Sequence, residues 1–577
     1  SWRKWPDPLV DYGPFSVCLN AMLFKVFGPG LMVLVMTNLV VYALILVLAY
    51  LAFRMAWGRL GAFAALAVFI SAFSFSHLLG VGNYNFVTPY AAEASHGMLL
   101  ILATAFIVVR WCRNPSRKLA FMLGLCGGLA AVMKPEFMLA CGLLGIAALV
   151  LRWRNRVPVT AKEYRAMGVG VLLPTLVFTL WFARGESFQQ AFIDASQAWW
   201  IVLVDRVQTG NPQQMGFLGL DNPWANALKE IRCAGLAILI LGAIWTIGRM
   251  MNLPWTRRSR LILLLGTTAL IAAVFVSGEW KIIRDWLSSL NKDWISVGLC
   301  LPGLMVLISV MLLVRLVREC RQTRQITERN VMAFALVLLA VAMLARMLLN
   351  VRVYHFGFFQ AALAAMVVAA VMVSELPRWT GEKVLGRGLA RIGCLLILGL
   401  ACGTIAAKSL AIRADQTEPV GSGRDRFYST KHTIDGTGAL VNWAAVRMSS
   451  VPSDAEVLVL PEGMMINYLS RHKSPESAVL RESEEKFLEQ LRRKPPEYII
   501  LISRDIKDFG ITRYGAPGNP GSALVPWVGA NYKSEQWVGG DPLDPNAQVG
   551  AVIMRRKTDA SPVSVSKKSS EPASKKE

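Results

Sequence analysis

Residues 31–53, LMVLVMTNLVVYALILVLAYLAF, contain no charged side chain. A run of that length and apolarity crosses about 30 Å of hydrocarbon as an α-helix, because lipid tolerates only backbone whose polar groups are satisfied internally. Comparable runs recur near 60–81, 97–112, 118–133, 136–152, 166–183, 233–250, 260–277, 295–314, 331–350, 355–374 and 392–409. The fold class is therefore a polytopic α-helical membrane protein with about twelve spans in the sequence. Composition agrees, since 54% hydrophobic and 17% charged residues lie outside the range of ordinary soluble domains.

Lys and Arg gather in alternate loops. RWCRNPSRK (110–118), RWRNRVPVTAKEYR (152–165), RMMNLPWTRRSR (249–260), RLVRECRQTRQITERN (315–330) and ELPRWTGEKVLGRGLAR (375–391) are rich in them. GNYNFVTPYAAEAS (82–95) and the 184–232 and 278–294 segments are sparse or balanced in charge. By the positive-inside rule the first set is cytoplasmic, and both ends of the given chain lie outside. Topology and anionic lipid headgroups account for the net charge of +23 and make nucleic acid an unneeded partner. The nine cysteines form no CxxC pair and none falls after residue 409, which argues against disulfide or zinc frameworks.

Residues 1–29 form a short polar apron, read as the first extracytoplasmic loop, and 30–409 the membrane domain. A further helix ahead of Ser1 would place the apron outside and bring the total to about thirteen spans. Residues 410–557 change character. VLVLPEG (457–463), YIILISRD (498–505) and AQVGAVIMRRK (547–557) read as strands, and NWAAVRMSSV (442–451), MMINYLSR (464–471) and SEEKFLEQLRRK (483–494) as amphipathic helices. This alternation predicts a small extracytoplasmic α/β domain. Residues 558–577, rich in Ser, Pro and Lys, predict a disordered tail.

Ionisable groups near a membrane need a reason, and those at the outer ends of spans form four clusters. Asp7 and Asp11 lie in the apron. Tyr90, Glu93 and His96 recur at three-residue spacing into a helix. Lys134 and Glu136 flank a proline between two apolar runs. Arg346, Asn350, Arg352, Tyr354 and His355 surround a short turn. Each has a structural reading: turn residue, helix cap, self-neutralising pair or interfacial anchor. Their convergence on one side of the membrane instead suits an anionic, lipid-borne substrate, with cations for a phosphate and a carboxylate for a hydroxyl proton.

GPFSVCLNAMLFKVFG (13–28), NYNFVTPYAAEASHG (83–97), GLCGGLAAVMKPEF (124–137), LNVRVYHFGFFQA (349–361) and LPEGMMINYLSRHKSP (460–475) together resemble bacterial integral-membrane glycosyltransferases of the GT-C superfamily, relatives of the aminoarabinose and protein mannosyl transferases. The resemblance implies a polyprenyl-phosphate-linked sugar donor, a lipid, glycan or protein acceptor, and work on the outer face of the bacterial cytoplasmic membrane. It implies that Asp11 is the essential carboxylate, with Asp7 as its neighbour, and that Lys134 approaches the donor phosphate. Arg352, Tyr354 and His355 would serve the same phosphate, with Glu136, Tyr90, Glu93 and His96 lining the substrate. The chain joins Asp11 directly to Gly13-Pro14-Phe15, where relatives have a longer loop. A lipid monophosphate leaving group does not require a cofactor, although Glu93 and His96 are of the types that ligate a divalent cation. A multi-span transporter or lipid flippase and a non-catalytic envelope-assembly scaffold are the rival readings. The absence of an internal repeat, the lack of ionisable residues near span midplanes and the soluble outer domain speak against the transporter.

Overall fold

The structure, a computed structural model, describes residues 13–78, 85–88, 91–199, 215–216, 218–252, 265–266, 296–323, 326–347, 349–353, 355–475, 484–504, 513–544 and 549–557. It divides at Asp415 into a membrane unit and a C-terminal unit that begins at Gln416. The membrane unit holds α1 (Pro14–Phe27), α2 (Leu31–Phe69), α3 (Glu93–Arg113), α4 (Arg117–Ala131), α5 (Pro135–Arg154), α6 (Ala161–Phe182), α7 (Phe188–Ala195), α8 (Pro223–Asn252), α9 (Leu301–Thr323), α10 (Glu328–Leu344), α11 (Ala362–Ser374) and α12 (Val384–Ala414). Among the described residues, nine segments are long and apolar enough to cross a membrane.

Helix α2 is two spans in one. Its backbone breaks at Gly58, where φ is +80°, a conformation that a Cβ resists. The Tyr50 and Phe63 rings lie 5.6 Å apart, and Tyr42 meets Phe69 at 6.0 Å and Phe75 at 5.5 Å. One straight helix would hold these partners about 20–50 Å apart, so the chain folds back at Gly58 into the expected 31–53 and 60–81 pair. The second half closes in a π-turn at Ile70–Ser74, short of the expected end.

The other spans match the apolar runs, with shifted bounds, except on the 118–133 run, where α4 is 15 residues long and is not among those nine segments. Helix α8 starts at Pro223, well before the expected 233, because Lys229, Glu230 and Arg232 depress the local hydropathy. Lys229 and Arg232 face outward, while Asn226, Glu230 and Ala234 follow one buried face at four-residue spacing. Helix α12 carries the chain to Ala414, past the expected boundary at 410. The 260–277 run falls almost wholly outside the described residues.

Helix α11 is the hub: every residue from Ala362 to Ser374 except Ala365 is buried. By contrast α12 exposes Leu395, Leu396 and Leu400, the surface expected against lipid. The ends of α3, α5 and α6 are fastened by a buried network. Thr160 and Glu163 form a capping box, and Glu163 also accepts from Trp111 Nε1 at 2.9 Å and Arg152 Nη1 at 2.7 Å. The Arg152 guanidinium lies 4.4 Å from the Trp111 ring.

The C-terminal unit contains a hairpin of β1 (Glu418–Val420) and β2 (Phe427–Ser429), and a four-stranded sheet of β3 (Val457–Leu460), β4 (Tyr498–Ile502), β5 (Tyr532–Gly539) and β6 (Gly550–Arg556). The sheet order is β3-β4-β6-β5, with β3 parallel to β4 and the other pairs antiparallel. Side chains alternate between its faces. Val457, Val459, Ile500 and Ile502 pack with α13 (Thr437–Met448), whereas Leu458, Leu460, Ile499 and Leu501 pack with α15 (Glu484–Arg493) and α16 (Leu524–Asn531), α14 (Met464–Ser470) following β3. Helices therefore cover both faces. The tail at 558–577 lies outside the described residues.

Candidate functional site

Pro135 opens α5, and Lys134 occupies its N-cap in extended backbone, so the α4–α5 turn is a tight hairpin with little conformational freedom. Lys134 is 5% exposed. Its Nζ lies 3.5 Å from Glu136 Oε1 and 5.9 Å from the centre of the Phe359 ring. The same Glu136 oxygen accepts from Arg346 Nη1 and, at 3.1 Å, from Gln360 Nε2. A carboxylate in the first turn of α5 thus gathers cations from the hairpin and from the far end of α10. Burial pulls the Lys134 ammonium below the ordinary lysine range; Glu136 opposes this and Arg346 adds to it.

Helix α1 closes over this hairpin. Gly13 N donates to Met133 O at 2.7 Å and Phe15 N to Val132 O at 3.1 Å. A Cβ on Gly13 would stand 2.1 Å from the Val132 oxygen, so no other residue allows this approach. Ser16 Oγ is 2.9 Å from His96 Nδ1, and Phe15 meets the His96 ring edge-on at 6.4 Å. His96 and Glu93 are both buried in the first turn of α3, and Glu93 is near enough to Lys134 for their charges to interact. Two nearly buried atoms, His96 Nε2 and Gln360 Oε1, have no hydrogen-bond partner among the described residues.

Arg352 is held by a different element. Its Nη2 donates to Asn226 Oδ1 at 3.2 Å, and Asn226 in turn donates to Gly219 O at 3.0 Å. The buried Glu230 lies one turn further along α8, with Oε1 lacking a partner among the described residues. His355 caps the 3-10 turn Phe356–Ala361, its Nδ1 accepting from Gly357 N at 2.9 Å.

The structure therefore brings together Lys134, Glu136, Glu93 and, through α1, His96. It gives Arg352 a partner on α8 and His355 a capping role. Asp7, Asp11, Tyr90 and Tyr354 lie outside the described residues. Sequence reasoning passed over Gln360 and Ser16 because neutral side chains carry no charge signal. Glu230 was findable: an acidic residue at a span start is a functional candidate by default. Among the described residues, no group of three or more His, Cys, Asp or Glu side chains is placed to hold a metal ion.

No family model and no curated protein matches the chain. Solved structures do. One is the oligosaccharyltransferase AglB from Archaeoglobus fulgidus in complex with an inhibitory peptide and a dolichol-phosphate, 12% identical over 98% of this chain and 70% of that one, with a TM-score of 0.42. Another is the Archaeoglobus fulgidus oligosaccharyltransferase with Zn and sulfate, 12% identical over 85% and 59%, with a TM-score of 0.41. A third is ArnT from Cupriavidus metallidurans bound to undecaprenyl phosphate, 15% identical over 94% and 88%, with a TM-score of 0.35. This chain is a polytopic helical membrane protein with a small α/β unit.

Proposed function

We propose that the protein is an inverting membrane glycosyltransferase of the GT-C type that moves a sugar from a polyprenyl-phosphate donor to an acceptor hydroxyl at the outer face of a bacterial cytoplasmic membrane. The observation that carries this reading is the buried Lys134, held at a helix end beside Glu136 and Arg346 and covered by α1. An ammonium fixed at that depth meets a phosphate whose lipid tail remains among apolar helices, and it costs little reorganisation as charge grows on the leaving group. His96 Nε2 and Gln360 Oε1, which have no hydrogen-bond partner among the described residues, supply a donor or acceptor for sugar hydroxyls.

In the proposed step the acceptor oxygen bonds to the anomeric carbon and gives its proton to Asp11. The bond from that carbon to phosphate oxygen breaks, and polyprenyl phosphate leaves with the electron pair. Asp11 precedes by two residues the Gly13 that is fixed to Met133, beside Lys134. Arg352 would act at the edge of the donor site. No step is assigned to a metal ion.

The test incubates purified protein with radiolabelled polyprenyl-phosphate sugars and a membrane extract. Label should pass into a lipid, glycan or protein fraction with the wild type, and Lys134→Met should abolish transfer while the protein remains folded. Movement of intact labelled lipid without a new glycosidic bond would replace the enzyme with a transporter. Full transfer by Lys134→Met would remove the lysine from the mechanism.

A further inference from the structure

The end of the bundle remote from Lys134 carries a second collection of charge. Arg329 and Arg346 bracket α10, seventeen residues or about 25 Å apart along a helix, so they mark opposite ends of the membrane unit. At the Arg329 end the acceptor is Glu375, 7% exposed at the close of α11. Three guanidiniums from three elements converge on one oxygen, Glu375 Oε1: Arg329 at 2.9 Å, Arg378 at 3.3 Å and Arg315 at 3.7 Å. Two more arginines hold the next turn, Arg249 on Thr380 O at 3.2 Å and Arg387 on Gly381 O at 2.5 Å.

We infer that Arg315, Arg329 and Arg378 form a binding site for the phosphate of an anionic phospholipid in the leaflet opposite the Lys134 site. One carboxylate neutralises one of the three cations. Arg329 also donates from Nε to Ala56 O at 2.9 Å, while Arg315 and Arg378 bring charge beyond the one that Glu375 neutralises. Each guanidinium carries several N–H donors in a planar fork suited to phosphate oxygens. The side chains of Arg315, Arg329 and Arg378 are 38%, 39% and 48% exposed, so the forks are anchored by Glu375 yet open outward.

The surroundings favour a lipid over a soluble phosphate. Val310, Leu313, Val314 and Val317 lie exposed on α9 within two turns of Arg315 along the helix and offer acyl chains an apolar surface at this end of the bundle. Trp379, 47% exposed next to Arg378, is the residue type that settles at a membrane interface. Charge scattered along cytoplasmic loops by topology alone does not require three arginines on one oxygen. This site is independent of the proposed transfer reaction.

The test is thermal unfolding of the full chain, purified in mild detergent, with added phosphatidylglycerol, phosphatidylcholine or inorganic phosphate. Phosphatidylglycerol should raise Tm by about 2–4 °C more than phosphatidylcholine does. Inorganic phosphate should do neither. The R315Q/R378Q variant should lose the increment, and native mass spectrometry should show it retaining less phosphatidylglycerol. If that variant does not fold, Arg378→Gln alone decides: a reduced increment supports the site and an unchanged one overturns it. Equal stabilisation by phosphatidylcholine, a full increment in the double variant, or reproduction by inorganic phosphate would each overturn the assignment.

Discussion

Glu136→Gln is the perturbation whose consequence the structure fixes most closely. Glu136 is the carboxylate on which Lys134, Arg346 and Gln360 meet, and its replacement keeps the shape while removing the charge. Lys134, 5% exposed, would then be a buried cation that has lost its nearest carboxylate, with Glu93 left as the more distant acidic neighbour. Stranding one member of a buried pair costs about 3–5 kcal/mol. The cost has a ceiling, because the lysine can release its proton. From an ordinary pKa near 10.4, neutralisation at pH 7.4 costs about 4 kcal/mol. Arg346, with its side chain 52% exposed, stays solvated and adds little. The expected loss is therefore about 3–4 kcal/mol.

The pH dependence separates this account from a simple packing defect. In Glu136→Gln the folded-state pKa of Lys134 falls further below its unfolded value, so the unfolded chain binds more protons over that window. Stability of the variant relative to the wild type should then rise with pH, by up to about 1.4 kcal/mol per unit, until pH nears the unfolded pKa. Unfolding in detergent between pH 7 and 9.5 measures this for the wild type, Glu136→Gln, Lys134→Met and the double variant. Lys134→Met in the Glu136→Gln background should restore most of the loss. A variant within about 1 kcal/mol of wild type at pH 7.4, with no added slope, would refute the sealed lysine.

Glu163→Gln should destabilise the chain by about 3–5 kcal/mol, because Arg152 is 1% exposed and loses its counter-charge, while transfer per folded molecule stays unchanged. Asp11→Asn should slow transfer about 100-fold or more with donor binding retained, and Asp7→Asn should be milder; the reverse order would move the base to Asp7. Arg352→Ala should lower the transfer rate at saturating donor by about 10–100-fold, and wild-type-like transfer would leave Arg352 as the fastener of Asn226.

The spans were legible because hydrocarbon imposes one length and one composition on any helix that crosses it. Where charged residues are tolerated at a span end, hydropathy misplaces the bound, as at α8 with Lys229, Glu230 and Arg232. The reversal at Gly58 was implied by two adjacent apolar runs divided at Arg54 and Arg59, whereas the positive φ of the glycine itself leaves no signal in the sequence. In the C-terminal unit β3, β4 and β6 were readable from their β-branched and aliphatic runs. Strand β5 was not: YKSEQWVG lies at the sheet edge, exposes most of its side chains and carries a bulge at Ser534/Gln536, so it lacks an alternating apolar signal.

The candidate site was legible in its charges and illegible in its pairing. Sequence assigns Lys134 to Glu136 by proximity and sets Arg346 and Arg352 together in one short turn, but α10 ends at Leu344 and the 3-10 turn that follows it, which holds Arg346, ends before Arg352. Arg346 remains on the hairpin side and reaches Glu136, while Arg352, past the turn, reaches Asn226 on α8. Six residues are enough to send two arginines to different partners when a helix terminates in a 3-10 turn at Ala345–Met347. Helix α10 also shows why the two ends of the bundle suit different chemistry. At the Arg346 end the carboxylate is covered and its lysine is sealed, which preorganises a charge and restricts water. At the Arg329 end the carboxylate is covered but all three arginines remain open, an arrangement that can exchange a ligand and offers no enclosure for a reaction.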